Sequence, residues 1–297
     1  MNEKDITRLN GPRRLSWLIT GVSQGLGRAL ATEVLSRGEA AVATVRNEQS
    51  VSDLKDRYGE LLTVVIADLR EPDAVAKVVR VAAERFGAPD VLVNNAGRAI
   101  VGAAEEVSLG ELRELVELNF FAAAALTRAV LPGMRERGSG TIIQLSSQGG
   151  RRSFPGVGAY SAGKFALEGW SEALAGEVAP FGIRVMLVEP SRFRTGFNTG
   201  HSLGMAKALD AYERVLAPVR ADMTGADGVQ EGDPARAATI LFGLAHAPEV
   251  PLRLPLGAEA VQRITAAYEE GLAGVRAWAD TARSADFPGV APSARAV

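Results

Sequence analysis

The sequence predicts a doubly wound α/β domain, in which helices cover both faces of a parallel β-sheet. From Leu15 onward, short apolar segments alternate with longer stretches of helical length and periodicity. The short segments are apolar without interruption, as expected for strands whose two faces are both buried. A glycine-rich turn over Thr20–Gly27 joins the first such segment to the first helical stretch. Doubly wound sheets bind ligands at turns of this kind.

Strands and helices alternate over roughly residues 15–190. Their spacing fits repeated β-α-β units within one domain. We expect strands at Trp17–Thr20, Ala41–Val45, Thr63–Ala67, Asp90–Asn94, Thr141–Ser146 and Ile183–Glu189. We expect helices over 25–37, 72–86, 110–136 and 158–179.

The pattern changes beyond Pro190. Residues 191–232 are polar and glycine-rich around one amphipathic stretch, which predicts a helical flap. That stretch carries Met205, Leu209, Tyr212 and Leu216 at helical spacing.

The C-terminal part is predicted to form a helix, an edge strand and a second helix. Asp233 and Pro234 supply the cap and the first residue of a helix over about 235–246. Bracketing prolines favour an edge strand at Pro251–Leu256, followed by a helix over 258–279. The predicted segments are a polar tail over 1–14, one domain over 15–280 with the flap at 191–232, and a loosely held tail over 281–297.

The amino-acid composition argues against several classes of protein. The 297 residues are 47% hydrophobic and 23% charged, which argues against disorder. The net charge of -2 is far from that of a nucleic-acid-binding domain, so we expect no nucleic-acid partner. The N-terminus lacks the order of a secretory signal and no apolar run approaches the length of a membrane span. We therefore expect a cytoplasmic protein without a membrane partner.

The chain has no cysteine and only two histidines, His201 and His246. Thiolate nucleophiles and cysteine-ligated metals are thereby excluded. Two isolated histidines are too few for a zinc site or a Ser-His-Asp triad. We expect no metal, His201 as a polar loop residue and His246 at a helix end.

The Thr20–Gly27 turn has the features of a phosphate-binding loop. A phosphate needs bare backbone N–H groups and the positive end of a helix, and side chains at the glycine positions would hold it away. The alternative is a turn in which glycine only permits a tight chain reversal, and the strand-turn-helix context favours phosphate binding. The candidate cofactor residues are Thr20, Gly21, Ser23, Gln24, Gly25, Leu26 and Gly27.

Arg46 follows the second strand, where the adenosine ribose of a dinucleotide is expected. A carboxylate there would bond the ribose 2′-hydroxyl, whereas a guanidinium grips a 2′-phosphate. We therefore expect NADP(H), with NAD(H) less favoured. The alternative is a solvated surface arginine.

Two more strand ends complete the expected cofactor site. Asp68 and Leu69 close the third strand, where adenine would lie. Asn95, Ala96 and Gly97 close the fourth strand, where small residues let the backbone approach a ligand.

Tyr160 and Lys164 lie four residues apart in a helical stretch, so their side chains share one face. Ser147 ends the fifth strand, and the fold can bring all three around one point. A nearby ammonium lowers the pKa of a phenol, which would let Tyr160 transfer protons near neutral pH. Ser147 would hold the substrate oxygen. The alternative is an ordinary helix tyrosine with a solvated lysine.

Asn119 falls on the apolar stripe of the predicted helix 110–136. A polar amide on a core face costs free energy unless it is hydrogen-bonded. It either satisfies a backbone carbonyl or anchors a water that relays protons to Lys164.

Together these motifs resemble the classical short-chain dehydrogenase/reductase family over roughly residues 15–195. The matching pieces are Thr20–Gly27, Asp68, Asn94–Gly97, Asn119, Ser147, Tyr160-x-x-x-Lys164 and Pro190–Thr195. The resemblance implies a Rossmann-like, seven-stranded parallel sheet. It implies Tyr160 as the catalytic acid/base, with Ser147, Lys164 and Asn119 as its partners. It also implies that Thr195 contacts the nicotinamide amide and that Pro190 belongs to the same cofactor site.

A finer resemblance is to a bacterial subgroup similar to 17β-hydroxysteroid and retinol dehydrogenases, whose members usually use NADP(H). It is carried by Ala43–Arg46, Phe120-Phe121, Val188–Pro190 and Pro251–Gly257. The chain departs from the family pattern at three positions. Ser191 replaces a common glycine, Gly163 a common serine, and Arg98 a residue that is usually uncharged.

We expect the substrate over the nicotinamide, between the segment 147–154, Arg98 and the flap. Arg98, Gln148 and Phe154 are the candidate substrate residues. Arg151 and Arg152 would hold an anionic group on an otherwise apolar ketone. The alternative, the more common one for arginine, is a solvent-exposed pair.

The expected activity is NADP(H)-dependent interconversion of a ketone or aldehyde and an alcohol, with Tyr160 handling the proton. One alternative is an NADP-binding regulator without turnover. Another is an epimerase or dehydratase of a sugar or polyketide intermediate. The resemblance implies a homodimer or homotetramer packed through the helices 110–136 and 158–179, with the helix 258–279 capping or blocking a tetramer contact.

Overall fold

The computed structural model describes residues 14–198 and 202–290. His201 and most of the predicted N-terminal tail lie outside the described residues, as does the end of the C-terminal tail. The protein has nine strands, among the described residues: β1 Ser16–Ile19, β2 Ala40–Val45, β3 Leu62–Ile66, β4 Val91–Asn94, β5 Ala99–Val101, β6 Gly140–Leu145, β7 Ile183–Pro190, β8 Leu203–Met205 and β9 Arg253–Leu256.

Ten α-helices connect or flank these strands in the described part of the chain. They are α1 Gly25–Ser36, α2 Ser52–Tyr58, α3 Ala74–Phe86, α4 Leu109–Val116, α5 Ala122–Arg137, α6 Gly158–Val178, α7 Glu213–Gly225, α8 Pro234–His246, α9 Ala258–Ala277 and α10 Ala279–Arg283. Capping side chains define where two of these helices begin. Ser108 and Glu111 form a reciprocal capping box at the start of α4. The Asp233 carboxylate caps α8, whose first residue is Pro234.

Seven strands form one parallel sheet in the order β3-β2-β1-β4-β6-β7-β9. The predicted seven-stranded, doubly wound sheet is therefore confirmed, with β9 at an edge as its prolines indicate. The strand order reverses between β1 and β4, and the carboxyl ends of these strands leave the crevice where such folds bind ligands. The strands β5 and β8 pair in a separate two-stranded sheet that the sequence did not predict.

Two apolar layers hold the sheet between helices. On one face Trp17 and Ile19 pack with Leu30 of α1 and Leu241 of α8. On the other, Leu18 and Leu92 pack with side chains of α3, α5 and α6. The side chains of β1 alternate between the two layers although the strand is apolar throughout, which is the pattern of a sheet covered on both faces.

The predicted helix over 110–136 is interrupted. Between α4 and α5 the residues Glu117–Phe121 form a π-helical segment, which accommodates one extra residue in the helix. The whole stretch Leu109–Arg137 is long and apolar enough to cross a bilayer by length and composition. In the fold it is a core helix, because it packs on α3 and α6 beside the sheet.

The predicted flap differs from the structure. Helical spacing was expected to begin at Met205, but Leu203–Met205 is the strand β8, and the helix α7 begins at Glu213. Pairing with β5 supplies Leu203–Met205 with backbone hydrogen-bond partners, and this tertiary contact outweighs the local periodicity. The tail predicted to be loose from Thr281 begins inside the short helix α10.

Candidate active site

A cavity of about 500 Å³ opens at the carboxyl ends of the central strands. Most of the residues predicted to bind cofactor or substrate line it. They are Gly21, Ser23, Gln24, Gly25, Leu26, Arg46, Asp68, Leu69, Asn95, Ala96, Gly97, Arg98, Ser147, Gln148, Phe154, Tyr160, Lys164, Pro190 and Thr195. Three predicted residues, Thr20, Gly27 and Asn119, are not part of its lining, and each has a supporting role instead.

The glycine turn is shaped to receive an anion. Gly21 and Gly25 adopt left-handed φ angles of 70° and 68°, which favour glycine. The helix α1 begins at Gly25, and the Gln24 side chain does not cap it. Gln24 instead donates to the Gly196 carbonyl at 3.0 Å and to the Ser202 hydroxyl at 3.1 Å. The first N–H groups of α1 therefore face the cavity without a capping side chain, and a dinucleotide pyrophosphate fits them.

Thr20 and Asn95 lock this turn to the end of β4. The Thr20 hydroxyl accepts hydrogen bonds from the N–H groups of Asn95 and Ala96 at 2.9 and 3.0 Å. The Asn95 amide donates to the carbonyls of Thr20 and Gly21 at 2.8 and 3.0 Å. A β-carbon at Gly27 would lie 2.6 Å from the Gly21 carbonyl oxygen and inside the Asn95 amide. The contacts of Thr20, Gly27 and Asn95 therefore hold the cofactor turn in its shape.

The far end of the cavity carries two arginines. Arg70, which the sequence analysis missed, binds Asp68 at 2.6 Å and Glu114 at 3.1 Å. Its hydrogen bond holds the pKa of Asp68 well below its usual value, at about 2. The Arg46 guanidinium is exposed, and within the described residues it has no hydrogen bond or ion pair. Arg46 lowers the pKa of Asp68 through its charge, but its guanidinium has no direct hydrogen-bond partner among the described residues at the predicted position.

Tyr160 and Ser147 face each other inside the cavity. Ser147 follows β6 and its hydroxyl accepts a hydrogen bond from the Gly149 N–H at 3.0 Å, while Tyr160 lies in the first turn of α6. Burial raises the pKa of Tyr160, and a hydrogen bond with Ser147 opposes that rise. The Lys164 ammonium is not among the causes of this shift, in contrast to the expectation that it lowers the pKa of Tyr160. The phenol is a proton donor held beside a hydroxyl.

Lys164 lies one turn along α6, 4% exposed. Its ammonium donates to the Leu145 carbonyl at 2.6 Å and lies 5.9 Å from the centre of the Tyr160 ring. Burial lowers the pKa of Lys164 to about 8, and the Glu168 carboxylate acts against this effect. The ammonium is therefore directed into the site rather than to solvent.

Asn119 sits in the π-helical segment and is 1% exposed. Its amide donates to the Arg98 carbonyl at 2.9 Å and its oxygen accepts from the Arg98 N–H at 3.2 Å. A β-carbon at Gly97 would lie 2.7 Å from the Asn119 oxygen and 3.5 Å from the Lys164 nitrogen. These contacts confirm the predicted role as partner of a backbone carbonyl. It fixes the chain between β4 and β5 beside the lysine.

Two of the departures from the family pattern have neighbours that accommodate them. A β-carbon at Gly163 would lie 3.1 Å from Asn119 Cβ, so glycine lets α6 approach the π-helical segment closely. The Ser191 side chain occupies the space beside Gly257, whose φ of 96° excludes most other residues. The third departure, Arg98, lines the cavity and reaches to 3.9 Å from Glu114.

Apolar side chains wall the cavity beside Tyr160. Phe154, Val157, Phe197 and Met223 line it, and the Phe197 ring centre lies 6.2 Å from that of Tyr160. Phe197 is not among the predicted site residues, although it lies two residues beyond Thr195. Met223 on α7 is not among them either, and the sequence carries no signal for it besides its place in the flap.

Arg151 and Arg152 do not line the cavity. Arg151 lies over the Tyr268 ring at 4.9 Å and donates to the Tyr268 hydroxyl, while Arg152 pairs with Glu270 at 3.2 Å. Both glutamate and tyrosine belong to α9. The structure therefore does not support the anion-binding role, the less common of the two predicted for this pair, because the C-terminal helix engages both guanidinium groups.

Comparison with known proteins agrees with the fold and the motifs. The family model for short chain dehydrogenases matches residues 16–205. A short-chain dehydrogenase structure from Streptomyces avermitilis is 42% identical with a TM-score of 0.87, covering 93% of this chain and 100% of that chain. Oxidoreductase BOA17 of Botryotinia fuckeliana is 35% identical over 247 residues, 83% of this chain and 90% of that protein.

Human retinol dehydrogenase 8 is 37% identical over 187 residues, which are 61% of this chain and 59% of that protein. The matched family region contains the glycine turn, Ser147 and the Tyr160–Lys164 pair. Members of this family are oxidoreductases that bind a nicotinamide cofactor. The chain belongs to the short-chain dehydrogenase/reductase family.

Proposed function

We propose that this protein is an NADP(H)-dependent oxidoreductase that interconverts a ketone or aldehyde and the corresponding alcohol. The observation that carries the proposal is the placement of Ser147 and Tyr160 side by side around Gly149 in an apolar cavity, with the Lys164 ammonium one helical turn away. A phenol, a hydroxyl and an ammonium in this arrangement suit proton transfer at a carbonyl oxygen.

Side chains of the protein bind the substrate oxygen and transfer its proton. A bound nicotinamide cofactor supplies or accepts the hydride at the carbonyl carbon. Ser147 holds the carbonyl oxygen by hydrogen bonding, and Tyr160 donates its phenolic proton to that oxygen in reduction or takes the proton back in oxidation. Lys164 stabilises the phenolate that forms, since an opposite charge nearby favours the charged phenol. Apolar walls exclude water from the reacting atoms.

Arg46 supports the choice of NADP(H) over NAD(H). Its guanidinium lies at the adenosine end of the cavity and has no hydrogen bond or ion pair in the part of the chain that the structure describes. Asp68, at the end of the third strand, is bound by Arg70 at 2.6 Å, and Arg46 acts on it only through its charge. A 2′-phosphate provides the partner that Arg46 lacks.

An apolar substrate fits the cavity. The wall beside Tyr160 is built from Phe154, Val157, Phe197 and Met223. Arg151 and Arg152 contact Tyr268 and Glu270 of α9 and are not in the cavity wall, so they do not favour an anionic substrate group. The similarity to retinol dehydrogenase 8, named for a hydrophobic alcohol, points in the same direction.

We also propose that the protein forms a homodimer through α5 and α6. Phe121, at the end of the π-helical segment, is 52% exposed, and Phe165 on α6 is 47% exposed. The neighbouring Phe120 ring lies tilted against Phe121 and edge-on to Trp170, which extends this apolar face. Exposed aromatic clusters of this kind are typical of protein interfaces.

The proposed activity is tested with purified protein, NADPH and a panel of hydrophobic ketones and aldehydes. We expect substrate-dependent NADPH oxidation that Tyr160→Phe abolishes, with NADPH binding and the unfolding temperature retained. Tyr58→Phe is the matched control, because its buried hydroxyl has no partner among the described residues. Unchanged turnover in Tyr160→Phe contradicts the mechanism. NADPH binding without turnover by the wild type contradicts the proposed reaction and favours a cofactor-binding regulator.

A further inference from the structure

Two glutamates are buried beneath the proposed catalytic lysine. Glu168 is 2% exposed and Glu189 is 1% exposed, and neither lines the cavity. Acidic side chains are rarely buried to this degree without a paired charge. Neither residue has a part in the proton transfer described above, so their burial calls for a separate explanation.

Glu168 lies next to Lys164. The two residues are one helical turn apart on α6, so their side chains share a face. A β-carbon at Gly150 would lie 3.3 Å from Lys164 Cβ and 3.1 Å from Glu168 Cγ. Both side chains thus pack around the same glycine. Burial lowers the pKa of Lys164, and Glu168 is the charged group that acts in the opposite direction.

Glu189 completes a carboxyl pair with Glu168. It ends the buried part of β7, one residue before Pro190 of the cofactor cavity. In the described residues, both Glu189 oxygens and one Glu168 oxygen lack a hydrogen-bond partner. Burial, and then the neighbouring Glu168 carboxyl, raise the pKa of Glu189 to about 7. One proton on Glu189, donated to Glu168, supplies a hydrogen-bond partner for one oxygen of each residue.

Two guanidinium groups flank the pair. Arg253 of β9 donates to Glu168 at 3.0 Å and lies 3.8 Å from Glu189. Arg151, after β6, lies 3.8 Å from Glu168 and 3.7 Å from Glu189. Arg253 also binds Glu172, one turn further along α6, at 2.7 Å. Glu168 receives a direct guanidinium bond that Glu189 does not, so the negative charge of the pair resides on Glu168.

We propose that Glu168 is a positioning residue for Lys164: its carboxylate, held by Arg253 and by a proton on Glu189, keeps the buried lysine in the ammonium form. The proposal deepens the proposed function, on which it rests, because a neutral lysine would not stabilise the Tyr160 phenolate. Tyr268 of α9 contributes indirectly through its contact with Arg151. The C-terminal helix is thereby connected to the charge state of the active site.

The test is a direct titration of Lys164 by NMR on protein with isotope-labelled lysine, in which Lys164→Arg assigns the signal. The wild-type side chain should titrate near pH 8, and Glu168→Gln should lower that midpoint by about one pH unit. Glu168→Asp, which retains the charge, should restore most of the shift. The alkaline limb of the pH profile for ketone reduction should move by the same amount.

Glu172→Gln is the matched control. It removes a carboxylate that binds the same Arg253, but its side chain is 60% exposed and two turns from Lys164. Equal shifts in Glu168→Gln and Glu172→Gln overturn the proposal. If Glu168→Gln does not fold, an NMR titration of wild-type protein with isotope-labelled glutamate tests the proposal instead. One buried carboxyl should remain protonated to about pH 7, and complete ionisation below about pH 5 overturns the proposal. The lysine titration requires no substrate, so it succeeds or fails independently of turnover.

Discussion

The side-chain amide of Asn95 fills the space that a β-carbon at Gly27 would need. The two residues belong to different β-α units, so one contact aligns the glycine turn with the end of β4. The same amide donates to the Thr20 and Gly21 carbonyls, which leaves it little freedom to move. The cofactor turn is therefore sensitive to side-chain volume at a position that does not line the cavity.

Gly27→Ala should destabilise the protein by about 1–3 kcal/mol, because the added carbon overlaps the Asn95 amide and the Gly21 carbonyl. Chemical denaturation measures the change. Gly169→Ala on α6 is the control, since a β-carbon there meets no atom within 4 Å. It should increase stability by up to about 1 kcal/mol through helix propensity. If Gly27→Ala leaves the free energy of unfolding unchanged, the turn relaxes around the added carbon and the prediction is contradicted.

Arg46→Asp should reverse the cofactor preference. The wild type should bind NADPH more tightly than NADH, and the variant should lose NADPH affinity because a carboxylate repels the 2′-phosphate. Fluorescence titration with both cofactors measures the ratio of their Kd values. Arg80→Asp changes the charge equally on the exposed face of α3, where Arg80 pairs with Glu84, and should leave that ratio unchanged. A wild type without preference contradicts the cofactor assignment.

Glu189→Gln should change the pH dependence of stability. The pKa of Glu189 is about 7 in the folded protein, above the ordinary value of 4.5, so the folded state binds the proton more tightly. Its stabilising contribution is complete below about pH 4.5 and is lost as the pH rises through about 7. Glu189→Gln has no titrating group at this position, so its stability does not fall as the pH rises. Relative to wild type it should gain on the order of 2–3 kcal/mol between about pH 5 and pH 8.

Urea denaturation across that pH range provides the measurement. Glu172→Gln is expected to give a difference from wild type that stays flat, because Arg253 lowers the pKa of this exposed carboxyl and moves its titration further into the acid range. A flat difference for Glu189→Gln as well would mean that this buried carboxyl is already ionised at pH 5.

Phe121→Glu combined with Phe165→Glu should convert the proposed dimer into a monomer, because two charges would be buried in an apolar contact. Light scattering after size-exclusion chromatography measures the mass. Phe287→Glu is the control, since this phenylalanine is 83% exposed near the C-terminal end of the described chain. A wild type that is monomeric at micromolar concentration contradicts the proposed assembly.

The sequence predicted the sheet and the Ser147, Tyr160 and Lys164 cluster because both depend on short-range patterns. Uninterrupted apolar strands require helices on both faces, and a four-residue spacing on a helix places two side chains together wherever the helix packs. The edge position of β9 likewise followed from its own prolines. Features of this kind are determined by residues that lie close together in the sequence.

The remaining features depend on contacts between distant segments. Arg151 and Arg152 look like anion ligands until α9 is placed against them. The strand β8 forms because β5 lies beside it, and its own residues read as part of a helix. Arg70 enters the cavity only when the strand ends are assembled. The arginine contacts and the pairing of β5 with β8 join residues more than a hundred positions apart. Arg70 contacts Glu114, 44 positions away. No local pattern encodes these contacts.

The π-helical segment Glu117–Phe121 fixes the number of residues between α4 and α5. An α-helix turns by about 100° per residue, so deleting one residue to restore ordinary helical geometry would rotate Asn119 away from Arg98 or turn the apolar face of α5 off the sheet. Both requirements are met only with the extra residue. Insertions and deletions should therefore be tolerated poorly in this stretch.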